Sequence, residues 1–139
     1  MAKKKEQEIE VAVAEVVDFL KINGQFGPAL RQVVERKVAA QAARKNGIKV
    51  TTKQLQKAFD TFRHINGLTK ASDTKAWLKA AGISLEAIEE YLETNLLISK
   101  LKDQIYKKAG SSKKYLSSSA VKDTVRELAY QDWLAKELK

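Results

Sequence analysis

His64 is the one histidine in the chain, and it stands beside Arg63 at the end of "QLQKAFDTFRHINGL". A metal site built on several histidines is therefore excluded, and a Ser-His-Asp triad would rest on this residue alone. No GxSxG elbow accompanies it. A histidine in the last turn of a helix commonly meets the terminal carbonyls, and that is its expected role. The nearest acidic cluster, Glu86, Glu89, Glu90 and Glu93 in "SLEAIEEYLE", spreads over a helix surface. Catalytic carboxylate pairs need a pocket that raises one pKa, whereas glutamates on a helix surface are solvated. Cysteine is absent, which excludes disulfides, thiolate zinc sites and a cysteine nucleophile. The glycines stand singly at helix ends, so no phosphate-cradling loop is present. The expectation is a protein that is not an enzyme, with no cofactor and no metal.

Charge points to a second chemistry. The formal net charge is +9, and between Arg44 and Lys79 nine Lys/Arg face only Asp60 and Asp73. Such asymmetry can steer an acidic partner, although lysines also simply solvate helices. "AARKNGIKVTTKQLQKAF" imitates a helix-turn-helix around Gly47. The motif's second helix requires apolar residues where Lys53 and Gln56 stand, and another core position is Asn46, so sequence-specific reading is not expected. Nonspecific nucleic-acid binding through the basic face is kept as an alternative function.

The third chemistry is apolar binding. Phe59, Phe62, Trp77, Tyr91, Trp133 and the stripe Leu97, Ile98, Leu101 offer more large side chains than simple helix packing needs. These eight are the candidate peptide-binding residues, with at least half of them expected in the core. A contiguous remainder left at the surface would form a groove, the usual mark of an interaction site.

The elements that must position these residues are helices. A length of 139 residues suits one domain, and 44% apolar, 31% charged, one proline and six glycines suit an ordered helical chain. Ile9, Val13, Val16 and Leu20 share a face of a helix spanning about residues 6–22, which Asn23-Gly24 ends. A second helix opens at Pro28 and closes at Gly47, with Leu30, Val33, Val34 and Val38 expected inward. Thr51 and Gln54 form a capping-box pattern at the head of a third, whose face carries Leu55, Ala58, Phe59, Phe62 and Ile65. A fourth spans 72–81. The fifth begins after Ser84 and is the longest, with Leu85, Ile88, Leu92 and Leu96 on one side and Leu97, Ile98, Leu101 and Ile105 nearly opposite. Its buried face must switch partway along. "GSSKKYLSSS" reads as a flexible loop over 109–119, and 120–139 as a terminal helix. Val121, Val125 and Leu128 share one face of that helix, and Tyr130, Leu134 and Leu138 turn away. Leu97, Leu101, Tyr130 and Leu134 therefore suggest a second alternative, a dimeric adaptor pairing these stripes across a two-fold axis. No segment is apolar enough to span a bilayer, and Glu10, Glu15 and Asp18 interrupt the opening run, so a cytoplasmic protein without membrane contact is expected.

The order of these words is similar to a known family. "ALRQVVERKVAAQAARKNGIKVT", "QLQKAFDTFR", "TKAWLKAAGIS" and "LEAIEEYLETNLLISKLKDQI", covering residues 29–105, resemble the N-terminal chaperone domain of SurA- and PrsA-type foldases. The resemblance implies an all-α fold of about six helices, completed by the terminal helix, and a client of unfolded or extended polypeptide, such as one dedicated peptide precursor or export substrate. It departs from the family in lacking a parvulin prolyl-isomerase module, since every long segment is already a helix. The function implied is non-catalytic, chaperone-like holding of a peptide in an apolar groove with a basic surround.

Overall fold

Four of the helices end in the same way, and the sequence says why. Gly24, Gly47, Gly67 and Gly82 all adopt positive φ, between 67° and 79°. Each lets the chain turn so that the next amide reaches back to a carbonyl of the last turn, as Ile48 N does to Ala43 O at 2.9 Å and Leu68 N to Arg63 O at 2.7 Å. At Gly67 the turn also brings Leu68 into a buried position. A side chain with Cβ at either turn would be strained even though nothing crowds it.

The computed structural model describes residues 9–110 and 122–139. Among them lie six helices: α1 (Val13–Ile22), α2 (Phe26–Lys45), α3 (Thr52–Ile65), α4 (Ala71–Ala81), α5 (Leu85–Gly110) and α6 (Lys122–Glu137). No strand occurs among the described residues, and the all-α expectation holds. Residues 9–12 precede α1 in non-helical conformation, so the first helix is shorter than the apolar pattern suggested. Ala12 occupies the N-cap and has no side-chain acceptor; only the reciprocal half of a capping box remains, Ala12 N donating to Glu15 Oε1 at 3.3 Å. The expected loop lies almost wholly in 111–121, outside the described residues.

Where length suggests one domain, the chain groups into two compact units, Met1–Glu35 and Arg36–Lys139. In the second, the core is a junction of three helices. Ala39, Ala40 and Ala43 of α2 meet Leu97 and Leu101 of α5 and Tyr130 and Leu134 of α6. Leu97 and Leu101 are 2% and 0% exposed, each contributing about 1.5–3 kcal/mol by burial. The alanines let the α2 backbone come close to the larger side chains. Val38, Ile48, Ile98, Ile105 and Trp133 pack around this centre.

The switch of faces along α5 follows from its neighbours. Ile88 and Leu92 are buried near its start, Leu97 and Leu101 further on, while Leu85 stays exposed. α5 packs against α3 on one side and α6 on the other. Polar ties fix both junctions. Lys100 Nζ donates to Lys49 O at 2.6 Å and to Gln54 Oε1 at 2.7 Å, joining α5 to the capping box that Thr51 and Gln54 complete. Arg126 Nε donates to Asp103 Oδ1 at 2.6 Å and its Nη2 to Ser99 O at 2.7 Å, joining α6 to α5.

Candidate functional site

The eight residues expected to line a groove do not come together as one. Leu97 and Leu101 sit at the core's centre and present no surface, and Ile98 and Trp133 are half-buried against them. Phe59, Phe62 and Trp77 form a separate aromatic group between α3 and α4, with Phe62 edge-on to Trp77 at 5.6 Å and Phe59 stacked on Phe62 at 6.4 Å. Arg63 closes that helical pair, its Nε donating to Leu68 O and Thr74 Oγ1 and its Nη2 to Thr69 O. The three aromatics are half-buried. Tyr91 is 53% exposed and lies under the Arg36 guanidinium, 4.5 Å from the ring centroid. The dimer alternative loses its residues on the same grounds. Leu97, Leu101, Tyr130 and Leu134 are joined to one another inside a single chain, because α2 supplies the small residues that cover them.

The large exposed apolar surface is elsewhere, in the first unit. Val13, Val16, Phe19, Ile22, Leu30, Val33 and Val34 are 43–84% exposed. Sequence reasoning put Leu30, Val33 and Val34 inside, and the structure corrects it. On α1, Val13, Val16, Val17, Phe19 and Leu20 span an arc of about 160° at ~100° per residue. One packing stripe needs only about 100°, and only Val17 and Leu20 are half-buried. Phe26, at the head of α2, is likewise half-buried, with Lys21 Nζ 5.1 Å from its ring centroid. On α2, the stripe of Leu30, Val33 and Val34 and that of Ala39, Ala40 and Ala43 lie roughly 130° apart on the helical wheel. The alanine stripe is the one buried. Ranking by side-chain size selected the wrong face; the run of three alanines at helical spacing was the signal that could have corrected it.

Charged side chains of the second unit pair with one another across helices. Arg44 pairs with Glu93 at 3.3 Å, tying the basic run to the acidic patch. His64 is exposed in the last turn of α3. No group of three or more His, Asp or Glu among the described residues could hold a metal ion. No helix among the described residues is long and apolar enough to cross a membrane. Lys53 and Gln56 are exposed, the latter donating to Asp60 Oδ1 at 3.0 Å, so α3 presents a polar side where a DNA-reading motif would need core.

Among the described residues the fold is all-helical, with buried alanines at one end of α2 and exposed Leu30, Val33 and Val34 at the other. The chain belongs to the family of the SurA-like N-terminal domain, whose profile matches residues 18–102, more than half of its length. That family comprises non-catalytic, chaperone-type modules that bind unfolded polypeptide clients, and the match includes no parvulin domain. Comparison with curated proteins and with solved structures returned no match.

Proposed function

We propose that this protein holds unfolded or extended polypeptide on the apolar face of its first unit. The observation that carries the reading is the exposure of Val13, Val16, Phe19, Ile22, Leu30, Val33 and Val34 in a chain of the SurA-like N-terminal family. Large apolar side chains exposed this densely are the usual material of an interaction site, and aliphatic side chains give affinity that tolerates many client sequences. The half-buried Phe59, Phe62 and Trp77 are a secondary contact surface in the second unit, and Tyr91 a third. No atom transfer is involved; the work is to keep a client's apolar segments out of water, with the basic surface favouring clients that carry acidic residues.

The test uses reduced, carboxymethylated lactalbumin as a permanently unfolded client, with binding followed by fluorescence anisotropy. The double variant Phe19→Ser/Val33→Ser is expected to weaken binding by about tenfold or more, on an estimate of roughly 1–3 kcal/mol for two lost apolar contacts. Its unfolding midpoint should hardly move, because both side chains are already exposed. Unchanged client affinity in the double variant would remove the first unit from the reading.

A further inference from the structure

Three cationic side chains from three helices meet at one recess of the second unit. Arg36 of α2, Lys102 of α5 and Arg126 of α6 line it together with Asn95, Ile98 and Ser99, around a volume of about 280 Å³. Ligand pockets commonly begin near 300 Å³. The recess therefore suits one side-chain-sized group rather than a cofactor.

The charges in it are unequally matched. Lys102 Nζ pairs with Glu127 Oε2 at 2.7 Å, and Arg126 Nε with Asp103 Oδ1 at 2.6 Å. Neither carboxylate lines the recess. Arg36 has only neutral acceptors: Nη1 donates to Asn95 Oδ1 at 2.7 Å and Nη2 to Tyr91 O at 3.2 Å. Three cations against two carboxylates leave one positive charge unmatched. That charge is held in place by its two hydrogen bonds and by the Tyr91 ring beneath it. The side chains of Lys102 and Arg126 are only 20% and 21% exposed, so water screens the site less than an open surface.

The neutral groups add donors. Because Asn95 Oδ1 accepts from Arg36, the amide nitrogen of Asn95 is turned to donate elsewhere, and it has no acceptor among the described residues. Ser99 Oγ accepts from Arg126 Nη2 at 3.0 Å, which leaves its hydroxyl hydrogen to donate. Ile98 is the one apolar residue in the lining and offers a surface for a short methylene stem.

We propose that this recess binds a carboxylate of the client polypeptide, a glutamate or aspartate side chain or the chain's terminal carboxylate, with Arg36 as the charge partner and Asn95 and Ser99 as supporting donors. A single unmatched charge fits a monovalent carboxylate better than a dianionic phosphate. The inference rests on the polypeptide-holding reading and gives it a preference: clients in which an acidic residue accompanies an apolar segment.

Two measurements on the full chain keep that reading and this site apart. In the first, end-blocked N-acetylglutamate amide is titrated into 15N-labelled protein, which requires no client binding on the apolar face. Shifts at Arg36, Asn95, Ser99 and Lys102 are expected, and larger than those from the glutamine analogue. Equal responses to the two, or a response to inorganic phosphate alone, would overturn the site. In the second, an apolar peptide bearing one glutamate is compared with its glutamine counterpart, each with amidated and free C-termini. The peptides with a carboxylate should bind on the order of tenfold tighter. Arg36→Gln, which can still donate to Asn95, should abolish the difference while all four peptides keep the affinity of the neutral one. Lys102→Gln should reduce the difference partway. If every peptide binds alike, the site is wrong and the holding function stands; if none binds but the glutamate amide still shifts the lining residues, the holding function is wrong and the site stands.

Discussion

Single side chains divide into those that hold the fold and those free to meet a client. Leu101 is fully enclosed, so Leu101→Ala should cost about 2–5 kcal/mol, read as a fall in the urea midpoint. Thr51 accepts from Gln54 N at 3.1 Å, and Thr51→Ala should cost about 0.5–2 kcal/mol by the same measurement. Glu127 carries a pH signature. Its hydrogen bond from Lys102, with a second from Gln131, holds its pKa below the ordinary glutamate value. A lowered folded pKa means that the ion pair stabilises fully above the ordinary value and is lost as pH falls through the folded one. Glu127→Gln should therefore destabilise near neutral pH, by less than about 1 kcal/mol because the carboxylate itself is half exposed, and be neutral in acid. The sequence disclosed several of these roles directly. The Thr51/Gln54 capping box and the Ser84 cap, which accepts from Ala87 N at 3.1 Å, are local patterns settled within one turn. The partners of Arg36, more than fifty residues away at Tyr91 and Asn95, depend on how helices pack and have no local signature.

At the scale of elements, α2 is the instructive case. Its length and glycine stop were legible, but the face it buries was not. Leu30, Val33 and Val34 satisfy the rule that large apolar residues at helical spacing turn inward, yet Ala39, Ala40 and Ala43 occupy the core. Small residues are chosen there because Leu97, Leu101 and Tyr130 already fill the space. Ala43→Leu should accordingly destabilise by about 1–3 kcal/mol despite adding apolar surface. Val34→Ser should shift stability by no more than about 0.5 kcal/mol. Denaturation curves of the two variants side by side decide between the alanine face and the valine face. α5 shows the opposite outcome. Its two opposed stripes announced a helix that meets different partners or leaves an apolar patch, and it does pack against two other helices, α3 and α6. The candidate groove failed to assemble because periodicity assigns residues to faces but does not say which faces are already covered. Leu97 and Leu101 belonged to the covered one.

At the scale of the whole molecule, net charge and apolar surface compete to define the partner. A charge of +9 would favour nucleic acid if the cations stood free. Arg44, Lys102 and Arg126 are among the cations paired with a carboxylate, Glu93, Glu127 and Asp103 in turn, while nine large apolar side chains of the first unit stand in water. Family and fold class were both readable from the order of helices and turns. The location of the exposed apolar face was not, since exposure is a property of packing. Salt separates the two kinds of partner, because phosphate contacts release counterions and apolar contacts do not. The most direct measurement is therefore the affinity of the full chain for carboxymethylated lactalbumin and for a DNA duplex between about 50 and 200 mM salt. The account predicts polypeptide binding that changes less than about threefold over that range, with one carboxylate contact adding only a shallow slope. No polypeptide binding, together with duplex binding that falls steeply with salt, would contradict it.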